Sequence, residues 1–315
     1  MNRCRITLEE ISEGIRYSRE GLKRLDPRLM EIDSLPYTLA QQLEEATARA
    51  GKMSVQGVQP KLSAVLRIKE GRFEIVDRGG RFILKCCPPQ WPEVPANEAL
   101  TMTLAEHSGI EVPVHGLVEA SDGSVVYFIR RFDRVGQRHR LPLEDGAQLL
   151  GFTRDTKYDS SMEQVVGMLD RFCTFPVIEK RKLMLRVWFC FLTGNEDMHL
   201  KNWSLVSRSS RIALSPAYDL LNTSIVLKNP QEEIALSIRG RKRNLNRHDL
   251  LDYLAVERCG LPTELMRSDL EKLLVQAEEE WPAWIRRSFL SEPKREAYLH
   301  LVRERFTRLR SQTTS

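Results

Sequence analysis

The stretch Gly194-Asn195-Glu196-Asp197-Met198-His199-Leu200-Lys201-Asn202-Trp203 decides the fold of this chain, and it follows an apolar helical pattern that ends near Leu192. Its polar and turn-forming residues do not continue that helix, so we predict a loop. Asp197 lies five residues before Asn202, and a further acid, Asp219, follows in Ala217-Tyr218-Asp219. This order of acid, amide and acid predicts a catalytic loop.

Protein kinases use the same order of groups. An Asp accepts the proton of the substrate hydroxyl, an Asn five residues later holds Mg²⁺, and a later Asp holds metal against the ATP phosphates. We therefore predict Asp197 as the catalytic base and Asn202 and Asp219 as magnesium ligands, because Mg²⁺ prefers oxygen donors. Lys201 is expected to neutralise the transferred phosphate, and His199 to organise the loop by hydrogen bonding. The alternative makes both acids ordinary turn residues.

The length and charge of the chain indicate how many domains it has and whether it binds nucleic acid. The 315 residues include 48 basic and 43 acidic side chains, with a formal net charge of +5 and 42% hydrophobic residues. That length allows a sizeable core and about two domains. Charge that is interleaved in this way does not by itself indicate a nucleic-acid-binding protein. The basic run Arg239-Gly240-Arg241-Lys242-Arg243-Asn244 is expected to be a solvated turn, with phosphate contact as the alternative.

The sequence shows no pattern of a membrane-spanning segment, a signal peptide or a disulfide framework. No apolar run approaches the ~20 residues that cross a bilayer, and the N-terminus turns acidic before any signal-peptide core. We expect a cytoplasmic protein with no membrane partner. Six cysteines are scattered along the chain. Since the neighbours Cys86 and Cys87 would point to opposite faces of a strand, we expect all six to be reduced.

Hydrophobic patterning predicts two domains, residues 1–135 and 136–315. The first has a helical N-terminal segment and then short strands at 62–68, 72–76, 81–85, 114–119 and 125–131, with one helix at 97–107. After Phe132 helical patterns dominate, at 143–150, 162–172, 177–192, 248–258, 262–281 and 293–309. We therefore predict an antiparallel sheet crossed by one helix, followed by a mostly helical domain.

Three stretches in this order resemble the HipA-like serine/threonine kinases of bacterial toxin–antitoxin systems. They are Gly57-Val58-Gln59-Pro60-Lys61-Leu62, Arg131-Phe132-Asp133-Arg134 and the Asn195-x-Asp197-x-His199-x-Lys201-Asn202 pattern. The resemblance runs from about residue 54 to about residue 249. It implies an α+β, two-lobed protein-kinase-like fold, with a small β-rich lobe, a larger helical lobe, and ATP and Mg²⁺ as cofactors.

The resemblance also assigns residues to ATP. Lys85 ends the pattern Phe82-Ile83-Leu84-Lys85, where kinase-like proteins present a lysine to the α- and β-phosphates, and Glu98 is its expected ion-pair partner. At the predicted boundary between the lobes, Phe132 is expected to stack on the adenine, and the backbone of Arg130 and Phe132 to bond its edge. The alternatives are a solvated lysine and a core phenylalanine.

A phosphate-covering loop is implied by the resemblance rather than by its glycine content. The loop would contain Gly57, Gln59 and Lys61. Family members carry a serine there that is a site of autophosphorylation, and Ser54 matches its position. Phosphate on Ser54 would place about two negative charges over the ATP phosphates and lower ATP affinity.

The resemblance further implies partners. Only about fifty residues precede Ser54, so the chain is similar to the short HipT-type members that lack an N-terminal subdomain. This implies a separate small protein that supplies the subdomain, and a helix-turn-helix antitoxin through which DNA is bound only indirectly. By family analogy the phosphorylated substrate is an aminoacyl-tRNA synthetase, whose modification arrests translation.

Three alternatives to a toxin kinase remain open. A small-molecule phosphotransferase uses a similar Asp, Asn and Asp set, and phosphate on Ser54 would discriminate against it. A catalytically silent kinase-like scaffold in a repressor complex would remain toxic after Asp197→Ala. Direct nucleic-acid binding through the basic run predicts an affinity that falls steeply with salt.

Overall fold

The structure is a computed structural model that describes residues 2–49, 60–87, 89–136, 139–227 and 230–311. The chain divides into two compact units. The first comprises Met1–Thr103, Pro113–His139 and Arg287–Ser291, and the second comprises Leu104–Val112, Arg140–Arg286 and Glu292–Ser315. We predicted a single boundary after residue 135. The main transition from the first to the second unit falls after His139, close to that boundary. Two short segments, residues 104–112 and 287–291, belong to a different unit from the residues on either side of them.

The elements up to residue 140 follow the chain in this order: β1 (Asn2–Arg3), β2 (Glu10–Ile11), α1 (Arg19–Leu25), α2 (Leu39–Arg49), β3 (Lys61–Arg67), β4 (Arg72–Ile75), β5 (Phe82–Lys85), α3 (Val94–His107), β6 (His115–Glu119), β7 (Val125–Arg130), β8 (Arg134–Val135) and β9 (His139–Arg140). The short strands and the helix predicted here are therefore confirmed. The N-terminal segment has two helices, as predicted, and also two short strands that the helical signals did not indicate.

The first unit is built on a five-stranded antiparallel sheet with the order β4-β3-β5-β7-β6. Hairpin turns set this order, because β3–β4 and β6–β7 are each joined by a turn with one glycine at positive φ. These are Gly71 (φ 60°) and Gly123 (φ 81°), which adopt left-handed backbone angles at little cost. Both turns lie between strands that the sequence predicts.

Alternation along β5 determines where Lys85 lies. Phe82 and Leu84 are buried on one face of the sheet, where the Phe82 ring packs 5.2 Å from Phe73 and 6.3 Å from Phe128 between centroids. Because successive side chains point to opposite faces, Lys85 lies on the other face. The register places it opposite Lys61 on β3 and opposite Tyr127 on β7.

From residue 143 onward the elements are β10 (Leu143–Asp145), α4 (Gly146–Leu150), α5 (Met162–Phe172), α6 (Pro176–Leu192), a 3₁₀ helix (Leu200–Asn202), β11 (Ser204–Arg208), β12 (Arg211–Leu214), a π-helix (His248–Arg258), α7 (Thr263–Glu279), α8 (Trp281–Arg287) and α9 (Glu292–Arg310). Helix α6 buries Trp188 and Phe189 completely, so it is the core helix of the second unit. The helices predicted at 162–172, 177–192, 248–258 and 293–309 are confirmed.

One predicted helix was wrong in its first half. Residues 143–145 form strand β10, which pairs with β11 in a three-stranded sheet β10-β11-β12. The helix begins later because Asp145 caps it, accepting a hydrogen bond from the Gln148 amide at 2.9 Å, while the Gln148 side chain accepts from the Asp145 amide. The helix predicted at 262–281 is confirmed as α7, which ends at Glu279, two residues before the predicted end. Helix α8 then begins at Trp281.

The structure bears on two expectations from the sequence, one about membrane-spanning helices and one about the cysteines. No helix in the described ranges is both long and apolar enough to cross a membrane. All six cysteines are described, buried and free of disulfides, as predicted. Burial raises the pKa of the Cys86, Cys173, Cys190 and Cys259 thiols to about 12, so these four remain protonated at neutral pH.

Candidate functional site

The loop after α6 is anchored at its first residue. Gly194 has a φ of +65°, and a Cβ there would lie 2.3 Å from Leu301 Cδ2 and 2.8 Å from Ser224 Oγ. Its carbonyl accepts hydrogen bonds from the amide and the hydroxyl of Thr223, both at 3.0 Å. Only glycine fits this position, and it turns the chain sharply from the core helix into the loop.

Asp197 is held by hydrogen bonds to its backbone and to its side chain. Its amide donates to Asn195 Oδ1 at 3.1 Å, and its carbonyl accepts from Asn202 Nδ2 at 2.9 Å. Its carboxylate Oδ1 accepts a hydrogen bond from the Tyr158 hydroxyl. The proposed base therefore has a fixed orientation, and the hydrogen bonds among the described residues leave its Oδ2 without a donor.

Tyr158 is a residue that sequence reasoning missed. Burial, together with the adjacent Asp197 carboxylate, raises the pKa of the Tyr158 hydroxyl, so it remains a hydrogen-bond donor at neutral pH. Its ring meets the His199 ring edge-on at 5.1 Å, and the Lys157 ammonium lies 4.9 Å from its centroid. Tyr158 lies 39 positions before Asp197, and no local pattern in the sequence links the two.

His199 is buried, with 7% of its surface exposed. Burial lowers its pKa, and the charges of Asp197 and Asp219 oppose that effect only in part. Its amide donates to the Asp197 carbonyl at 2.9 Å, and its carbonyl accepts from the Asn202 amide at 2.9 Å. The backbone of His199 thus ties the acid to the amide of the predicted pair, and its imidazole is neutral at neutral pH.

Lys201 forms an ion pair that the sequence did not indicate. Its Nζ lies 2.6 Å from Asp145 Oδ2, with 35% of the lysine side chain exposed. Asp145 is also the capping residue of α4, so the pair links the loop to a helix N-terminus. The Lys201 carbonyl accepts a hydrogen bond from the Tyr218 hydroxyl at 2.9 Å.

Each of the two predicted metal ligands, Asn202 and Asp219, carries a side-chain oxygen that could bind a metal ion. Asn202 commits its amide nitrogen to the Asp197 carbonyl, which leaves Oδ1 as its donor. Asp219 has a φ of +56°, an uncommon conformation for a residue other than glycine that concentrates at functional sites. Its negative charge acts on His199 and on Tyr218.

This donor set fits magnesium. Within the described ranges no group of three His, Cys, Asp or Glu side chains forms a metal-binding cluster. Mg²⁺ is usually bound by one or two carboxylates, with waters and nucleotide phosphates completing its octahedron. Asn202 and Asp219 match that requirement better than they match a metal held by protein ligands alone.

In the first unit, Lys85 and Glu98 form the predicted ion pair. Lys85 Nζ lies 2.5 Å from Glu98 Oε1, and the two side chains are 4% and 1% exposed. Glu98 lies in the first half of α3, and the Lys85 ammonium lies 5.4 Å from the Tyr127 ring centroid. A pair this deeply buried is held in one geometry by the sheet and the helix.

Of the remaining residues that we predicted to contact ATP, the structure describes Lys61, Arg130 and Phe132. The Arg130 amide donates to the Val114 carbonyl at 2.8 Å, and its guanidinium donates to the Leu25 carbonyl at the end of α1, so the amide and one guanidinium nitrogen already have acceptors. Phe132 is half-buried, and Lys61 begins β3 beside Lys85 in register. Ser54, Gly57 and Gln59 lie outside the described residues.

A polar groove of about 900 Å³ opens on the second unit. It is lined by residues 158–161, 231–232 and 240–244, together with Gln164 and Ser237. The basic run, which we expected to be a solvated turn, therefore forms one wall of this groove. Tyr158, which binds Asp197, forms part of another wall.

Comparisons with known proteins place this geometry in a family context. The model of the HipA-like C-terminal domain matches residues 53–281. A presumed kinase of Haemophilus influenzae is 27% identical, over 98% of each chain. The presumed kinase Y4dM of Sinorhizobium fredii is 34% identical over 72% of this chain and 59% of its own length. The serine/threonine-protein kinase toxin HipA of Shewanella oneidensis is 26% identical over 70% of this chain and 55% of its own length.

Two solved structures share the fold. HipA of Shewanella oneidensis, in a complex with HipB and operator DNA, superposes with a TM-score of 0.68 at 23% identity, over 95% of this chain and 79% of that one. The Helicobacter pylori proinflammatory kinase CtkA superposes with a TM-score of 0.57 at 17% identity, over 81% of this chain and 91% of that one. These likenesses confirm the predicted kinase-like α+β fold.

Proposed function

The chain belongs to the HipA-like C-terminal domain family, and from that premise we propose that it is an ATP- and Mg²⁺-dependent protein serine/threonine kinase. The observation that carries the proposal is the orientation of Asp197. Tyr158 binds its Oδ1, while Asn195 and Asn202 hold its backbone. Oδ2 is then the atom that accepts the proton of an incoming Ser or Thr hydroxyl.

Charge neutralisation is divided among the other predicted residues. Asn202 and Asp219 would hold Mg²⁺, which when bound supplies positive charge at the phosphates. Lys201 exchanges its Asp145 partner for the transferred phosphate, since a partly exposed ion pair costs less to break than a buried one. Lys85, fixed by Glu98, binds the α- and β-phosphates, with Lys61, Gly57 and Gln59 covering them.

Arg130 and Phe132 complete the nucleotide contacts in this proposal, through the Arg130 carbonyl and the Phe132 ring. Ser54 is the proposed site of autophosphorylation. Both assignments rest on the family resemblance, and Ser54 lies outside the described residues.

We further propose that the chain acts as the toxin of a bacterial toxin–antitoxin system. Its substrate would be an aminoacyl-tRNA synthetase, which places its action in the cytoplasm. The HipA neighbour in complex with HipB and operator DNA supports a DNA-binding antitoxin as partner, with DNA contacted only through that partner. A separate small protein equivalent to the N-terminal subdomain of longer family members is a second proposed partner.

The decisive experiment compares the chain with Asp197→Asn, which keeps the shape of the side chain. Phosphopeptides are quantified after brief expression of each form, and purified protein is incubated with ATP and Mg²⁺ before intact-mass analysis. New phosphoserine or phosphothreonine with the first form only, including phosphate on Ser54, supports the proposal. Growth arrest that persists in Asp197→Asn would indicate a scaffold, and phosphate found only on small molecules would indicate the phosphotransferase.

A further inference from the structure

The polar groove is not used by the chemistry proposed above, yet it touches the catalytic loop at two consecutive residues. One wall contributes Tyr158, whose hydroxyl donates to the Asp197 carboxylate. Another contributes Glu232, whose amide donates to Glu196 Oε2 at 3.2 Å. The groove therefore reaches to within one side chain of the proposed base.

The groove wall made by the basic segment, residues 239–244, is held in place by the fold. The Arg239 amide donates to Glu163 Oε1 at 2.9 Å, and Arg241 pairs with the buried Asp249. The Lys242 carbonyl accepts a hydrogen bond from the Glu233 amide at 2.8 Å. The wall is thus preorganised, and a ligand that binds there need not order it.

The cations of this wall differ in what they already bind. Arg241 is paired with Asp249, and Lys242 lies 3.4 Å from Glu232. Arg243 is exposed and lines the groove, and it has no ion pair within the part of the chain that the structure describes. A guanidinium in this state is suited to a carboxylate brought by a ligand.

The remaining lining favours a polypeptide over a nucleic acid. It presents serine, glutamine and asparagine side chains that can bond a peptide backbone, such as Ser160, Gln164 and Asn244. It also contains the carboxylates of Asp159 and Glu232, which would repel a run of phosphates. Among the described residues that line the groove, Tyr158 is the only aromatic one, whereas proteins that bind single-stranded nucleic acids use several aromatic side chains for stacking.

We propose that the polar groove binds the segment of the protein substrate that carries the acceptor hydroxyl, and that Arg243 pairs with an acidic side chain of that segment. This inference rests on the proposed kinase function and specifies its substrate class: a Ser or Thr in an extended segment with Asp or Glu close by. Backbone bonding to the polar walls positions the segment, and Arg243 sets the preference.

The test uses a dephosphorylated chymotryptic digest of a bacterial proteome as the substrate, because its peptides keep internal acidic and basic residues, with ATP and Mg²⁺, and mass spectrometry to map the modified sites. The intact chain is compared with Arg243→Glu and with the matched control Arg303→Glu, an exposed arginine on α9 outside the groove. Thermal unfolding of each variant verifies folding. The readout is the enrichment of Asp and Glu at each position around the modified residue.

We expect the intact chain and Arg303→Glu to share an acidic preference at one or two positions, and Arg243→Glu to lose it by about tenfold in relative rate and to favour Lys or Arg there. A preference that is unchanged in Arg243→Glu overturns the inference and leaves the kinase function intact. Autophosphorylation without any modified peptide also overturns it. If no phosphate is transferred to peptide or to the chain itself, the proposed function fails and the inference fails with it.

Nucleic acid is tested with a labelled single-stranded RNA. We expect no binding that depends on Arg243. Binding that Arg243→Glu abolishes, that Arg303→Glu retains and that falls steeply with salt would assign the groove to RNA and overturn the inference.

Discussion

Two lysines in this protein form ion pairs of nearly equal length in very different surroundings. In the first unit, Lys85 lies 2.5 Å from Glu98, with side chains 4% and 1% exposed. In the second unit, Lys201 lies 2.6 Å from Asp145, with side chains 35% and 16% exposed. Similar N–O distances therefore do not imply similar contributions to stability, because the energy of an ion pair depends on how much water surrounds it.

This difference in exposure decides how readily each lysine can leave its carboxylate partner. A buried charge that loses its partner is left without water, which is costly, whereas an exposed charge regains its hydration. Lys85 is thus committed to Glu98, and under the proposed function it would bind phosphate as a fixed cation. Lys201 can leave Asp145 when a phosphate arrives. Variants of each lysine and of neighbouring residues should therefore change the free energy of unfolding and the rate of phosphoryl transfer to different extents.

The largest effect is expected for Lys85→Met. It strands the Glu98 carboxylate in the core, so we expect the free energy of unfolding to fall by about 3–5 kcal/mol, with phosphoryl transfer lost. Denaturant unfolding and the autophosphorylation rate measure the two effects. The double variant Lys85→Met/Glu98→Leu removes both charges and should regain most of the stability without regaining activity. If the double variant is as unstable as the single one, the cost is not a stranded charge.

Asp197→Asn should have an effect of similar size on catalysis alone. Losing the proton acceptor is expected to slow phosphoryl transfer by about 10²–10⁴-fold. The free energy of unfolding should change by less than about 1 kcal/mol, because the amide oxygen can still accept from Tyr158. Single-turnover transfer with saturating ATP and chemical denaturation test this pair of expectations. Substantial remaining activity would remove Asp197 from the role of base.

Tyr158→Phe should weaken catalysis through the orientation of Asp197. A hydrogen bond to a charged group is worth about 1.5–3 kcal/mol, so we expect kcat to fall by about tenfold to a hundredfold. The KM for ATP should remain unchanged, since the hydroxyl binds the acid and not the nucleotide. A change in KM with unaltered kcat would contradict a positioning role. Tyr253→Phe, which removes a hydroxyl that binds Glu163, serves as the matched control.

The smallest effect on stability is expected for Lys201→Met. The Lys201–Asp145 pair is partly exposed, so we expect it to contribute about 1 kcal/mol, and the free energy of unfolding should change little while phosphoryl transfer slows. Asp145→Asn is the complementary variant, because asparagine also caps a helix well and the lysine loses only its charge partner. We expect this variant to keep its activity. If Lys201→Met destabilised the fold as much as Lys85→Met, the contrast between the two pairs would be lost.

Local patterns predicted much of the secondary structure. Helix α5 was predicted with its observed bounds, because its apolar residues recur at helical spacing and Ser161 caps it by accepting from the Gln164 amide. The hairpin turns at Gly71 and Gly123 were readable because their glycines stand between alternating strands. Strand β10 was mistaken for helix, since its partner β11 lies about sixty residues later and only tertiary pairing defines it.

The candidate site was predicted in part. Asp197, Asn202 and Asp219 were found by their spacing, and the Lys85–Glu98 pair by its resemblance to kinase-like proteins. Tyr158 and the Lys201–Asp145 pair were missed, because each joins residues from distant parts of the chain. The roles of these residues stay predictions until the variants above are measured.

By itself, the sequence determined the elements whose information is local: the helical periods, the turns with glycine, and the order of acid and amide in the loop after α6. Only the tertiary structure decided which charges are buried, which Asp197 carboxylate oxygen accepts a hydrogen bond, and which arginine of the basic segment forms no ion pair with the described residues. The reason is physical. Burial, hydrogen-bond geometry and the strength of a charge depend on neighbours brought together from far along the chain, and composition does not record them.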